Sequence, residues 1–238
     1  MATRARSRST LGAVSSSRVV SEALEELIDY DTLRREIEAT MIVAHVTGPT
    51  LVLGGNQSPS VVDASKLEGT SFRRRRGGGG LVLLRPDDLW IDWWIPQNDL
   101  RWSADVHVSS IRAGKWWASE LRHYTSESIS VHEGSLEGDP SFRVVCFAGR
   151  GPGEVFLGDR KTIGLTQWRV REGVLLSTVL HAQPTSDVLE YLVSVPEGLS
   201  EVLNYQGLAP LQMGQTEQLV GQLRSTSGPW QFRSLLIA

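Results

Sequence analysis

Arg73-Arg74-Arg75-Arg76-Gly77-Gly78-Gly79-Gly80-Leu81-Val82-Leu83-Leu84 is the sharpest change of composition in the sequence. Four glycines in a row cost chain entropy. Such a run suits a place where a ligand or another backbone comes close, or where φ is positive. Exposed N–H groups in such a loop can form an anion-binding nest. The arginines ahead of it bring permanent charge and paired donors suited to phosphate or carboxylate. Leu81 to Leu84 then reads as a strand that holds one end of the loop. Composition leaves three readings open: a phosphate or carboxylate cradle, a flexible loop with a solvated charge run, and a nucleic-acid patch of the RGG kind. A Walker A loop is excluded, because no Gly-Lys-Ser/Thr follows.

Upstream of this stretch, Val19 to Met41 reads as a helix with Val20, Leu24, Leu27 and Ile28 on one face. Ile42 to His45 and Thr50 to Leu53 read as short strands around Gly48-Pro49, and Gly54 to Ser60 as a polar loop. Downstream, Leu89 to Ile95 is strand-like. Val106 to His123 reads as a helix turning Ile111, Trp117 and Leu121 to the core. Ser128–Val131, Arg143–Phe147, Glu154–Leu157, Lys161–Arg169 and Val174–Leu180 read as β pieces. Ser186 to Leu223 reads as helical pieces broken at Pro196 and Pro210. The pattern predicts an α+β fold (α/β two-layer) with a mixed, largely antiparallel sheet flanked by helices.

The chain has 238 residues, enough for one large domain or two small ones at ~100–200 residues each. Hydrophobic residues are 40% and charged residues 21%, as in ordinary soluble domains. Residues 1–17 read as a disordered Arg/Ser-rich tail, and 18–238 as a single domain without a C-terminal accessory domain. The single cysteine, Cys146, excludes an internal disulfide. No run approaches the ~18 apolar residues of a membrane span, so no membrane partner is expected. Met1 to Thr10 lack the apolar core of a secretory signal, and a cytoplasmic location is expected. A net charge of −3 excludes a chain-wide polyanion-binding surface, so nucleic acid is not an expected partner.

Two side chains stand out. Cys146 ends the apolar run Val144-Val145-Cys146-Phe147 and precedes a Gly/Pro loop. It is either a buried core thiol or a thiol presented at a strand-to-loop junction, where a nearby cation would favour thiolate. Lys161 follows the turn signal Gly158-Asp159 and shares a strand face with Ile163 and Leu165. A lysine so placed is either desolvated and paired with an anion, or snorkels at the strand start. Six tryptophans between Trp90 and Trp117 could line an apolar tunnel, fill the core or form a docking patch.

Three motifs in order carry a resemblance. Pro49 to Gln57 is similar to a strand ending in Gly-Arg-x-Gln, with Gly55 in place of Arg. Arg74 to Val82 is similar to Arg-Arg-x-Ser/Thr-Gly-Gly-Gly-Ala-Val, with Gly77 in place of Ser/Thr. Gly158 to Arg169 is similar to Gly-x-Lys-Ile-x-Gly-x-x-Gln-x-Arg, with Lys161 at the lysine. The chain, from about Arg35 to Leu180, thus resembles the biotin/lipoate protein ligase (BPL/LPL catalytic domain) superfamily, most of all its lipoate–protein ligase A branch. Cys146-Phe147 and Glu154 ahead of Lys161 resemble the cysteine-type octanoyltransferases of the same superfamily. A His-Asp pair after the loop strand becomes Leu84-Arg85 here, and a His-Gly pair becomes Thr178-Val179, with His181 nearby.

The resemblance implies a class II tRNA synthetase/biotin ligase-like fold. It implies ATP-dependent adenylation of lipoate or octanoate, with Mg²⁺, and acyl transfer to a lysine of a lipoyl carrier domain. That domain would belong to a 2-oxoacid dehydrogenase or to the glycine cleavage H protein. An acyl carrier protein or a separate accessory subunit are further partners it allows. Arg74, Arg75, Gly77, Gly78, Gly79, Gly80, Gly164 and Gln167 would bind substrate or ATP, and Lys161 would stabilise developing charge. No residue is assigned to a metal. The alternatives are an ATP-independent transferase using a Cys146 thioester, and a non-catalytic member that binds acyl groups or partners.

Overall fold

The computed structural model describes residues 24–211, 215–226 and 231–237. In chain order the elements are β1 (Glu25–Glu26), α1 (Tyr30–Leu33), β2 (Thr40–Val46), β3 (Thr50–Leu53), β4 (Ser71–Arg74), β5 (Val82–Leu84), β6 (Leu89–Pro96), α2 (Val106–Leu121), β7 (Ile129–Val131), β8 (Val155–Leu157), β9 (Arg160–Val170), β10 (Gly173–Leu180), α3 (Leu199–Leu203), α4 (Gln215–Thr226) and β11 (Gln231–Ile237). A seven-stranded sheet runs β11-β2-β6-β10-β9-β8-β7, and a four-stranded sheet runs β1-β4-β3-β5. The large sheet is antiparallel except for β11 against β2. The small sheet is mixed. This is the mixed α+β architecture expected.

β6 explains the layering. All its residues are buried, so both faces are covered, and the segment reads as a continuous apolar run rather than an alternation. Trp90 and Trp94 face the layer between the sheets. Leu89, Ile91, Trp93 and Ile95 face the layer under α2 and α4. Asp105 caps α2 by accepting from the N–H groups of His107 and Val108. The core face of α2 is Ala113, Gly114, Trp117, Ala118 and Leu121, whereas Ile111 is only half-buried, contrary to expectation.

Two expectations are corrected, and one strand is added. The described part of Val19–Met41 is not one helix. Glu25–Glu26 pair with Arg73–Arg74 as a strand, and Asp29 caps the single turn of α1. Ion pairs from Glu25 to Arg73 and from Glu26 to Arg76 favour the strand, so tertiary pairing overrides the helical spacing. Arg143–Phe147 is not a strand. Asp139 and Pro140 start a 3-10 turn over Pro140–Val144, and a second turn covers Cys146–Ala148. β11 follows the helical C-terminal pieces and was not foreseen. The expected tail, residues 1–17, lies outside the described residues. Among the described residues no helix is long and apolar enough to cross a membrane.

Candidate active site

The glycine loop leaves β4 and is folded back by the arginines before it. Arg74 Nη1 donates to the carbonyls of Gly54, Gly55 and Gln57 at 3.2, 2.9 and 3.1 Å. Arg75 is fully buried. Its Nη2 donates to Gly78 O at 2.8 Å and Gly80 O at 2.7 Å, and its Nη1 to Val52 O at 3.3 Å. Burial pulls the Arg75 pKa down, because no carboxylate offsets the desolvation. Both guanidinium groups therefore hold backbone, and neither lines the cleft described below.

The arginine clamp leaves Gly79 exposed and Gly78 half-buried, with Gly77 and Gly80 buried on either side. Gly79 sits at φ +90°, a conformation that L side chains rarely adopt. At Gly77 a Cβ would stand 2.8 Å from Thr166 Oγ1. That hydroxyl fills the space and donates to Gly78 O at 2.9 Å. The N–H groups of Gly78, Gly79 and Gly80 have no acceptor among the described residues.

Lys161 is the second residue of β9 and is 1% exposed. Its ammonium donates to Glu154 Oε1 at 2.6 Å, Cys146 O at 2.8 Å and Gly149 O at 3.1 Å. An ammonium has three donors, and all three are occupied. Glu154 Oε2 accepts from Gly151 N–H at 2.6 Å. Burial pushes the Glu154 carboxyl up; the Lys161 charge and the Gly151 N–H oppose it without cancelling it. The Phe147 ring lies 5.0 Å from Lys161 Nζ. Gly164 makes room for that ring, since a Cβ there would stand 2.7 Å from it. Gln206 and Gly207 fix the Lys161 backbone through its N–H and carbonyl.

Gly78–Gly80, Cys146, Glu154, Lys161, Thr166 and Gln167 line one cleft of about 560 Å³, within the range of small-molecule sites. Val106, Phe142 and Leu165 make it largely apolar, and Glu137, Asp139 and Arg143 are its other charged residues. Cys146 is half-buried on its 3-10 turn. A Cβ on Gly79 would lie 3.9 Å from its Sγ. Gln167 ties β9 to α2, donating to Val106 O at 3.0 Å and Ser110 Oγ at 2.8 Å. The structure thus gathers Gly78, Gly79, Gly80, Cys146, Lys161 and Gln167 around the cleft. It sets Arg74, Arg75, Gly77 and Gly164 behind it as supports. The roles of Thr166, Gln206, Glu137 and Asp139 were not read from the sequence, because Gln206 and the acidic pair reach the site through loops.

No histidine lines the cleft among the described residues. His181 Nδ1 bonds Asp88 at 2.9 Å, and its ring meets Phe147 edge-on at 4.7 Å. Burial would raise the Asp88 pKa, but the His181 ring and the Ala182 N–H outweigh it and hold the carboxyl low. The tryptophans do not line the cleft either. Trp93, Trp116 and Trp117 stack edge-to-face. Trp93 and Trp116 wall a separate cavity of about 450 Å³ that α2 also borders.

No family model matches the chain, and no curated protein matches it. Solved structures do. A lipoate-protein ligase A bound with ATP superposes with TM-score 0.62 at 16% identity, covering 92% of this chain and 83% of that one. Protein Ta0514 of T. acidophilum with bound lipoic acid gives 0.61 at 15% identity, covering 93% and 84%. A bi-partite lipoate protein ligase from Thermoplasma acidophilum, analysed with its E2 lipoyl domain, gives 0.59 at 15% identity, covering 94% and 84%. The chain therefore has a mixed α+β fold shared with these structures. More narrowly, its fold is that of the lipoate–protein ligases.

Proposed function

We propose that the chain places a medium-chain acyl group, lipoyl or octanoyl, on a lysine of a lipoyl carrier domain, and that it activates the free acid with ATP in the cleft. The glycine loop carries this reading. Gly78, Gly79 and Gly80 line a largely apolar cleft, and their N–H groups have no acceptor among the described residues. Such donors are preorganised for charge that develops on a carboxyl or phosphoryl oxygen. The carboxylate attacks the α-phosphorus and pyrophosphate leaves; the carrier amine then attacks the acyl carbonyl and AMP leaves. Lys161 and the loop stabilise the charge on the reacting oxygens. Val106, Phe142 and Leu165 suit the hydrocarbon tail. The ATP, the lipoic acid and the E2 lipoyl domain named with the solved relatives support substrates and partner of this kind. The carrier would sit on a 2-oxoacid dehydrogenase or the glycine cleavage H protein, in the cytoplasm. Among the described residues no group of three or more His, Cys, Asp or Glu could hold a metal, so Mg²⁺ would arrive on the nucleotide's phosphates.

A second reading has its own observation. Cys146 Sγ lies beside Gly79 in the cleft, and Glu137 and Asp139 give that cleft an acidic character poorly suited to polyphosphate. Here the thiol takes the acyl group from an acyl carrier protein as a thioester, releasing the carrier thiol, and passes it to the lysine. Intact-mass spectrometry separates the two. In the first reading, octanoate, ATP and Mg²⁺ add one octanoyl mass to a lipoyl domain, and Cys146→Ala keeps this gain. A hydroxylamine-labile adduct on the chain from octanoyl–acyl carrier protein without ATP, lost in Cys146→Ala, would replace it with the second. Silence in both leaves binding without catalysis.

A further inference from the structure

We infer that Glu154 is a built-in occupant of the anion seat on Lys161, and that it sets how strongly the cleft takes a carboxylate or phosphate oxygen. The inference rests on the acyl reading only for the identity of that anion. The ammonium of Lys161 is buried with its three donors already used, by one carboxylate and two carbonyls. An incoming oxyanion can reach it only by taking the place of one of them. The carbonyls of Cys146 and Gly149 belong to the backbone of the turn that holds the cleft wall. The Glu154 carboxylate is a side chain, and it is the partner that carries the compensating charge. It also lines the cleft itself.

The charge balance supports the exchange. With Glu154 in place the Lys161 pair is neutral, and the other cleft charges are Glu137, Asp139 and Arg143. An anion that joined this set without exchange would meet no uncompensated buried cation. Removing the Glu154 charge leaves a buried ammonium without its counter-charge, a costly state that an external anion relieves.

The test compares wild type, Glu154→Gln and the double variant Glu154→Gln/Lys161→Met. Each is titrated with octanoate and with the neutral control octanamide, followed by calorimetry and thermal unfolding. Glu154→Gln is expected to bind octanoate at least about tenfold more tightly than wild type. Octanamide should bind the two equally, and the double variant should lose the gain. Equal or weaker octanoate binding by Glu154→Gln overturns the inference. If no protein binds either octanoyl compound, the acyl reading fails, and the seat is then read with sulfate alone. Sulfate should raise the Tm of Glu154→Gln, or restore its folding, by more than that of wild type or the double variant. No such difference overturns the inference independently.

Discussion

The two walls of the cleft each bury a cation, and they neutralise it differently. Arg75 stands behind the glycine loop among backbone carbonyls. Lys161 stands in the other wall against a carboxylate. A cation held by peptide dipoles cannot exchange partners without unfolding the loop that supplies them. A cation held by a side chain can. The same type of buried charge therefore serves as a fixed clamp in one wall and as an exchangeable contact in the other.

The largest expected effect breaks this contrast directly. Arg75→Met takes the guanidinium away from the carbonyls of Val52, Gly78 and Gly80, leaving Gly78 O with the Thr166 hydroxyl alone, and should cost about 3–5 kcal/mol in urea unfolding. Lys161→Met should cost a similar amount by stranding Glu154. The difference lies in rescue. Adding Glu154→Gln to Lys161→Met should recover most of that loss, because the stranded charge goes with it. For Arg75→Met no single side-chain replacement should recover it. Equal rescue at both sites would erase the distinction.

A buried anion sharpens the comparison. Asp92, in β6, is fully buried with Trp90 Nε1–H at 2.8 Å and the Ser177 hydroxyl as its donors. Burial pushes its carboxyl up to about 6, and those two donors oppose the shift only in part. The folded state thus keeps the proton to a higher pH than the unfolded chain. Stability should fall as pH rises from near 4 to past 6, and stay lower above. Asp92→Asn should stabilise the protein by up to about 3 kcal/mol at pH 8, with the advantage gone at pH 4. A constant difference across that range would show that two neutral donors suffice for this charge.

The smallest effect concerns the fit of the loop against β9. Gly77→Ser crowds Thr166 and should cost about 1–2 kcal/mol. Thr166→Ala in the same chain should return most of it, since the new hydroxyl can bond where the old one did. Additive losses in the double-mutant cycle would mean that the two positions do not share one space.

Much of this geometry was legible because it is local. The glycine run, the turn before Lys161 and the strand faces follow from residues adjacent in sequence. Lys161, on one face with Ile163, reads either as desolvated and paired with an anion or as snorkelling at the strand start; the structure shows the first, and Glu154 on the neighbouring loop is that anion. The arginine run was legible only as charge. The partners of Arg74 and Arg75 are carbonyls of Val52, Gly54, Gly55, Gln57 and the loop itself, and nothing in residue identity marks a carbonyl as an acceptor. The stretch before β2 misled for a related reason. Leu24, Leu27 and Ile28 have helical spacing, but β4 offers Glu25 and Glu26 an edge to pair with, and Arg73 and Arg76 complete it.

β11 has a consequence for the order in which the molecule can be assembled. It is the parallel partner of β2, and Thr47 Oγ1 reaches Ile237 O across 190 positions of sequence. A ribosome delivers β2 long before it delivers the strand that covers its outer side. During that interval the apolar strand Met41–Ala44 presents unpaired amide and carbonyl groups, the surface most prone to stray strand addition. The rate at which the nascent chain reaches Gln231–Ile237 therefore sets how long it depends on protection from its neighbours.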